Sequence, residues 1–250
     1  MINLKKKLKK QELSMGSWIT LPDLNLAEMM SKSNFDWLAI DLEHSVIDLE
    51  SLQNIIRVID LNGTFPMVRL TSNDPDQVKR ALDSGAKGVI CPMINTKDDV
   101  IKLVNSIYYP PKGRRSLGIA RAQKYGRDVI GYVKKIEKEL VTIIQIEHID
   151  ALDNLEEIFQ IQDVDGYIIG PNDLSASMGI HGDLKNKILK KTINEINSIA
   201  KKYKKPGGIH LIEPQISDLK NAIKSGNSFV AYSLDFKIFD KGLKEFMNFK

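Results

Sequence analysis

The sequence predicts a (β/α)8 TIM barrel, an α/β fold in which eight parallel strands close on themselves inside a ring of helices. Short runs of β-branched residues recur along all 250 residues, and amphipathic segments separate them. This alternation is typical of parallel sheets, and eight repeats suit a closed barrel. An open doubly-wound sheet is the alternative, but no glycine-rich turn follows the first predicted strand, as a dinucleotide site requires.

The predicted strands are short β-branched or aromatic runs bounded by turn residues. In chain order they are Gly16–Thr20, Trp37–Asp41, Pro66–Leu70, Gly88–Pro92, Val141–Ile146, Gly166–Gly170, Gly207–Leu211 and Phe229–Ser233. The predicted helices have apolar residues three and four positions apart. They are Leu24–Lys32, Leu49–Leu61, Pro75–Ser84, Lys97–Tyr108, Ala151–Gln160, Leu184–Lys202 and Pro214–Lys224. Gly85, Gly88 and Gly226 follow helices where a C-terminal cap glycine belongs.

Composition excludes several classes of protein. The 42% apolar content is ordinary for a globular domain, and no window has the length of a membrane span. The only cysteine is Cys91, which rules out a disulfide framework and favours a cytoplasmic protein. With 36 basic and 32 acidic residues intermixed, no nucleic-acid surface is expected. We expect one domain over residues 1–250, and a solvated helix face for the lysines of "MINLKKKLKKQELSMG", which has no secretory apolar core.

Polar residues cluster at the carboxyl ends of the predicted strands, where barrel enzymes hold their catalytic groups. They are Asp41, Glu43, His44, Arg69, Gln145, Glu147 and Asp173. Side-chain alternation places Gln145 and Glu147 on the same face as Val141 and Ile143. A carboxylate in that buried position needs a cation or a strong donor beside it.

Two interpretations of these carboxylates remain open from spacing alone. Glu147 and Asp173 follow adjacent strands and could supply hard oxygen ligands to Mg²⁺ or Mn²⁺. Alternatively, each could form a salt bridge with a neighbouring lysine or arginine, or cap a helix.

Five segments of the chain resemble the HpcH/HpaI aldolases, the family of 4-hydroxy-2-oxoheptanedioate and 2-dehydro-3-deoxyglucarate aldolases. They are "FDWLAIDLEHSV", "PMVRLTSNDPDQVKRALDSGAKGVICPM", "YYPPKGRRSLGIARAQKYG", "IIQIEH" and "GYIIGPNDLSASMG", in the order that the family has. The resemblance implies a barrel of the phosphoenolpyruvate/pyruvate-domain type. It also implies a homo-oligomer, often a hexamer built as a trimer of dimers, whose last helix packs on a neighbouring subunit.

The activity that the resemblance implies is class II aldol chemistry: reversible cleavage of a 4-hydroxy-2-oxo acid into pyruvate and an aldehyde. Glu147 and Asp173 match the ligands of the divalent ion, which would be Mg²⁺, Mn²⁺ or Co²⁺ and would chelate pyruvate. Arg69 matches the arginine that donates to the keto oxygen as charge develops there. An ion pair of Arg69 with Glu43 or Asp41 is compatible with this role.

The remaining matches concern the proton and the substrate. His44 matches the base that takes the 4-hydroxyl proton, and Asp83 matches the carboxylate that makes this histidine more basic. Gln145 matches a substrate-binding amide, and the backbone around Asn172 and Asp173 would donate N–H groups to the pyruvate carboxylate.

The chain also departs from the family pattern. Ser116 stands where a glycine is expected, and Asn172 stands where some relatives have alanine, so the aldehyde acceptor is left open. The cations of "PPKGRR" indicate either a solvated cluster or a site for an acidic acceptor.

Three other functions compete with the aldolase. A class I aldolase needs a Schiff-base lysine, and no predicted strand end carries one. A carbon–carbon lyase acting on a malyl-CoA or citryl-CoA type ester is the enzymatic alternative. A non-catalytic scaffold would not need the set His44, Arg69, Asp83, Glu147 and Asp173.

Overall fold

A computed structural model describes residues 3–247 and 249; the ends of the predicted domain, residues 1, 2, 248 and 250, lie outside the described residues. Eight parallel strands form a closed barrel in chain order, which confirms the predicted (β/α)8 fold. The strands are β1 (Ser14–Ile19), β2 (Trp37–Asp41), β3 (Phe65–Arg69), β4 (Gly88–Cys91), β5 (Val141–Ile146), β6 (Gly166–Ile169), β7 (Gly207–Leu211) and β8 (Phe229–Leu234). The predictions for β2, β5 and β7 have the observed bounds.

Helices cover the outside and one end of the barrel. They are α1 (Leu4–Lys9), α2 (Leu24–Ser31), α3 (Leu49–Leu61), α4 (Pro75–Asp83), α5 (Lys97–Ile107), α6 (Val129–Glu139), α7 (Leu155–Gln160), α8 (Pro171–Ser177), α9 (Lys187–Lys202), α10 (Ile216–Lys224) and α11 (Asp235–Met247). Short 3-10 turns occupy Lys124–Gly126 and Ile149–Asn154. The list of predicted helices lacks α1, α6, α8 and α11, and it begins α7 too early because the preceding turn is 3-10. No helix among residues 3–247 combines the length and the apolar character needed to cross a bilayer.

Large side chains fill the interior of the barrel below its carboxyl end. The Trp37 ring stacks on Phe229 with centroids 4.3 Å apart, and Trp18 meets Trp37 edge-on at 6.4 Å. A Cβ on Gly16 would collide with the Trp37 ring, so glycine is required there. Val141 and Ile143 belong to this interior cluster, which confirms the predicted inward face of β5.

The amino-terminal helix closes the opposite end of the barrel. Leu4 and Leu8 of α1 are fully buried in the interior cluster. Lys5 donates to the Leu140 carbonyl over 2.8 Å and pairs with Asp165 at 3.1 Å. The expected solvated lysine face is confirmed for the exposed Lys6 and Lys9 but is wrong for Lys5, because the other side of α1 lies across the barrel floor. α1 thus covers the amino-terminal mouth of the barrel interior.

Two of the three predicted cap glycines are confirmed. Gly85 and Gly226 follow α4 and α10 with φ of +103° and +88°, the left-handed geometry that ends helices. The prediction for Gly88 is wrong, since this residue begins β4.

Candidate active site

Two adjoining cavities open at the carboxyl ends of the strands. The first has a volume of about 400 Å³ and contains five of the predicted site residues among its walls: His44, Arg69, Gln145, Asn172 and Asp173. The second has a volume of about 330 Å³ and is bordered by Glu43 and Glu147. His44 and Asp173 border both cavities, so the fold brings six of the seven predicted site residues to one place.

Arg69 is held rigidly at the end of β3. Its Nε lies 2.8 Å from Asp41 Oδ1 and its Nη2 lies 2.5 Å from Asp41 Oδ2, a two-pronged pair with the neighbouring strand β2. Glu43 Oε2 lies 3.4 Å from Nη1, and the guanidinium stands 4.5 Å from the centroid of the Trp18 ring. The expected ion pairs with Asp41 and Glu43 are confirmed, and they fix the direction of the guanidinium.

The polar end of β5 is buried, as predicted. Glu147 is 2% exposed; it accepts the Met93 backbone N–H over 2.8 Å and also accepts from the Gln145 amide. Burial raises the pKa of Glu147, these two hydrogen bonds oppose the rise, and the charge of Asp173 adds to it. Among the described residues Glu147 has no salt bridge and caps no helix, so neither alternative to a ligand role is found for it.

Glu43 completes a cluster of acidic side chains formed with Asp41, Glu147 and Asp173. From sequence, Glu43 has only an ion pair with Arg69 as its expected role. Burial raises the pKa of Glu43 from 4.5 to about 7, although Arg69 opposes the rise. Three further carboxylates add to it: Glu147, Asp41 and Asp173. One oxygen of Glu43 is buried without a hydrogen-bond partner among residues 3–247. The position of Glu43 directly before His44 in "DLEH" was the available signal.

His44 lies on the rim of the site. Its side chain is 65% exposed, and its Nε2 is 3.9 Å from Glu43 Oε2. Its backbone N–H donates to Asp41 Oδ1 over 3.3 Å, as that of Glu43 does over 3.0 Å. Asp41 therefore anchors both the loop that carries His44 and the guanidinium of Arg69.

The turn from β6 into α8 brings backbone N–H groups to the cavity. Gly170 passes so close to Glu147 that a Cβ would lie 2.6 Å from its Oε2, which explains the glycine. Asn172 and Asp173 stand in the first turn of α8, where N–H groups lack acceptors within the helix. No side chain caps this helix, so these N–H groups can serve a ligand.

Comparisons with known proteins show which family the chain belongs to. The family model of the HpcH/HpaI aldolase/citrate lyase family matches residues 14–241. The chain belongs to that family. A 2-keto-3-deoxy-L-rhamnonate aldolase of Escherichia coli strain 536 is 30% identical over 243 residues, which cover 96% of this chain and 90% of that protein. The homologues are named aldolases, and the chain is accordingly a carbon–carbon lyase.

Solved structures of the same family superpose along nearly the whole chain. A HpcH/HpaI aldolase/citrate lyase family protein from Burkholderia cenocepacia J2315 has a TM-score of 0.93 at 26% identity, covering 99% of this chain and 98% of that one. A HpcH/HpaI aldolase from Desulfitobacterium hafniense DCB-2 has a TM-score of 0.90 at 23% identity, covering 98% and 95%. The second likeness shows the fold alone.

Asp83 is the one predicted HpcH/HpaI site residue that the fold places elsewhere. It ends α4, so it lies near the amino-terminal end of β4, whereas His44 follows the carboxyl end of β2. Its carboxylate pairs at 2.5 Å with Arg115, whose side chain is fully buried, and it accepts from Gln123 over 3.4 Å. The barrel therefore separates Asp83 from His44 of the same chain. Within "PPKGRR", the buried Arg115 pairs with Asp83, so it does not belong to the solvated cluster that is one of the two interpretations of this segment.

Two residues on the cavity wall had no predicted ligand role. The sequence alone assigns neither Trp18 nor His210 a role, yet both border the first cavity. No periodic sequence pattern distinguishes these two residues, because they become neighbours only when β1 and β7 face each other across the mouth of the folded barrel.

Proposed function

We propose that this protein is a metal-dependent pyruvate aldolase that reversibly cleaves a 4-hydroxy-2-oxo acid to pyruvate and an aldehyde. The observation that carries the proposal is Glu147, a buried carboxylate whose hydrogen bonds within the described residues come from neutral donors alone. Asp173 lies beside it, and the charge of Arg69 acts on it without forming a salt bridge. A cation is the missing partner of such a group.

The donor set fits a hard divalent ion. Burial and the charge of Asp173 raise the pKa of Glu147, and Glu43 Oε2, which forms an ion pair with Arg69 at 3.4 Å, has no hydrogen-bond partner within the described chain. Within residues 3–247, no three His, Cys, Asp or Glu side chains could hold an ion by themselves. Two carboxylates, from Glu147 and Asp173, would therefore share it with water and substrate, as Mg²⁺ sites commonly do. Bound there, Mg²⁺, Mn²⁺ or Co²⁺ would supply Lewis acidity toward the oxygens of the 2-keto acid.

The groups around this position bind different parts of pyruvate. Arg69 donates to the keto oxygen, where negative charge grows as the C–C bond breaks, and Asp41 keeps its guanidinium aimed. The first-turn N–H groups of Asn172 and Asp173 bind the pyruvate carboxylate. Gln145 orients Glu147 and faces the substrate from the cavity wall.

His44 is the proposed base for the 4-hydroxyl group of the substrate. Its exposed position on the rim suits a base that takes the 4-hydroxyl proton during cleavage and returns it during condensation. A histidine is suited to this because its ordinary pKa lies near neutrality.

Asp83 can support His44 only across a subunit boundary, so this role requires a homo-oligomer. Apolar side chains of α11 support such an assembly: Phe239 and Met247 are 66% and 70% exposed in the single chain. The hexamer, a trimer of dimers, remains the expected form. In that form, Asp83 of one subunit raises the basicity of His44 in the next.

Mixed oligomers test this arrangement. His44→Ala and Asp83→Asn should each be impaired, but co-refolded mixtures should regain activity, because some sites then combine both native residues. Mixtures no more active than the average of the parents would refute the shared site.

The relatives indicate the substrate class to try. They are named 2-keto-3-deoxy-L-rhamnonate aldolases, so a 2-keto-3-deoxy sugar acid, yielding pyruvate and a hydroxyaldehyde, is our choice of substrate. The test measures pyruvate release from this compound and glyoxylate release from malyl-CoA, each with Mg²⁺ or Mn²⁺. Cleavage of malyl-CoA alone would replace the proposal by the CoA-ester lyase.

A further inference from the structure

His210 is a half-buried histidine at the active site that the proposed reaction does not use. It stands in β7, two positions beyond Gly208, and its ring borders the first cavity. Its Nε2 is shielded from water and has no hydrogen-bond partner among residues 3–247. A buried polar atom left in this state is costly, so a partner from outside the chain is expected.

The chemistry of the ring defines what that partner can be. Burial and the nearby charge of Arg69 lower the pKa of His210 to about 4, although a hydrogen bond with the Ser233 backbone opposes this. The ring is therefore neutral at pH 7. Since Nε2 makes no such bond, Nδ1 is the nitrogen beside Ser233, and Nε2 is left as the acceptor.

Trp18 supplies a second unsatisfied group beside the first. Its indole Nε1 is also buried without a partner in the described chain, and an indole N–H can only donate. The rings of Trp18 and His210 have centroids 5.4 Å apart. Arg69 lies over the same indole, so this pair adjoins the position proposed for the keto oxygen.

We propose that His210 and Trp18 form a subsite for a hydroxyl group of the substrate, so that the enzyme prefers a hydroxylated nucleophile or acceptor. A hydroxyl satisfies both rings, because it donates to Nε2 and accepts from Nε1. An ionised carboxylate has no proton for Nε2, and the nearby walls, Ile168, Ile212 and Leu234, are apolar. This inference rests on the proposed aldolase function and adds the substrate class.

Paired substrates that differ by one hydroxyl test the subsite. The nucleophile arm compares 3-hydroxypyruvate with pyruvate, and the acceptor arm compares lactaldehyde with propionaldehyde. The variants are His210→Leu, which removes the acceptor, and His210→Gln, which restores one. His181→Leu, at an exposed histidine that lines neither cavity, is the matched control.

If the subsite binds a substrate hydroxyl, replacing His210 should change the substrate preference in either the nucleophile arm or the acceptor arm. His210→Leu should lower kcat/KM for the hydroxylated member roughly three- to tenfold, as expected for one hydrogen bond, and leave its partner within about twofold. His210→Gln should recover part of the preference, and the control should behave like wild type. Ratios unchanged in both arms, or equal losses for both members of each pair, would overturn the inference.

Binding separates this inference from the proposed function. Calorimetric titration of 3-hydroxypyruvate and pyruvate into wild type and His210→Leu needs no turnover. If wild type lacks aldolase activity but hydroxypyruvate binding weakens selectively in the variant, the subsite stands and the function fails. If the enzyme is active and neither binding nor turnover responds at position 210, the function stands and the subsite fails.

Discussion

Replacing Arg69 separates its catalytic role from its structural one. Arg69→Met keeps much of the apolar stem but removes the guanidinium and leaves Asp41, whose side chain is 3% exposed, without its cation. Breaking a buried pair in this way typically costs about 3–5 kcal/mol. For a chain of this length, each kcal/mol lowers Tm by roughly 2–4 °C, so the variant should melt on the order of 10 °C below wild type.

A second substitution removes the stranded charge. In Arg69→Met/Asp41→Asn, the amide oxygen introduced at position 41 can still accept the backbone N–H groups of Glu43 and His44, as Asp41 Oδ1 does. Most of the lost Tm should return. Activity should not return, because the donor to the keto oxygen is still missing, a loss on the order of 10²–10³ in kcat. Arg69→Lys should rescue poorly because lysine lacks the planar fork.

The assays are thermal unfolding at one protein concentration, coupled pyruvate release, and exchange of the pyruvate methyl protons followed by NMR. Wild-type exchange in Arg69→Met would refute its role at the enolate. Recovery of activity in the double variant would show that Arg69 acts only through stability. A wild-type Tm in the single variant would contradict the buried ion pair.

Three further predictions concern the base, the acid cluster and the cysteine. His44→Ala should lose cleavage of 4-hydroxy-2-oxo acids but largely keep oxaloacetate decarboxylation, which removes no hydroxyl proton; equal loss of both in assays of the metal-loaded variant would argue against this division. Because the pKa of Glu43 rises from 4.5 to about 7 on folding, the metal-free protein should lose stability as pH rises through this interval. Urea unfolding at several pH values should show a flatter profile for Glu43→Gln, and parallel profiles would exclude the effect. Burial raises the pKa of Cys91, so the native thiol should resist a thiol reagent that labels the urea-unfolded chain, and rapid native labelling would contradict its burial.

The strands were predictable from sequence because their signals are local. Val141–Ile146 is a β-branched run whose inward face is set by alternation, and the structure has the same bounds. α8 is absent from the list of predicted helices because it is short and mostly polar, although Pro171 at its start is a helix-initiation signal. The list of predicted helices omits α11, the last helix that the family resemblance implies, although its apolar residues recur at helical spacing; large side chains such as Phe239 are exposed in the single chain.

The site was predictable where it depends on strand ends and not where it depends on long-range geometry. The barrel topology brings the carboxyl ends of all strands to one face, and this is where Arg69, Gln145 and Glu147 lie. Asp83 ends a helix, so the same topology takes it to the other end of the barrel, and a sequence does not state which subunit a residue serves. The binding role proposed for His210 depends on its closeness to the Trp18 indole, whose N–H has no partner among the described residues, and sequence alone does not show that closeness.

The central claim is that Glu147 helps to hold a divalent ion that the aldol cleavage requires. The most direct test measures pyruvate release from a 4-hydroxy-2-oxo acid by EDTA-treated protein before and after Mg²⁺, Mn²⁺ or Co²⁺ is added, with calorimetric titration of the ion alongside. Wild type and the control Glu157→Gln, at an exposed carboxylate of α7, should be inactive without the ion and active with it. In Glu147→Gln, the amide oxygen can still accept the Met93 N–H, and the amide nitrogen can donate to Gln145 once the Gln145 amide turns over. This variant should melt near the wild-type Tm yet bind the ion weakly and release little pyruvate. Full activity in EDTA, or wild-type ion affinity and turnover in Glu147→Gln, would contradict the claim.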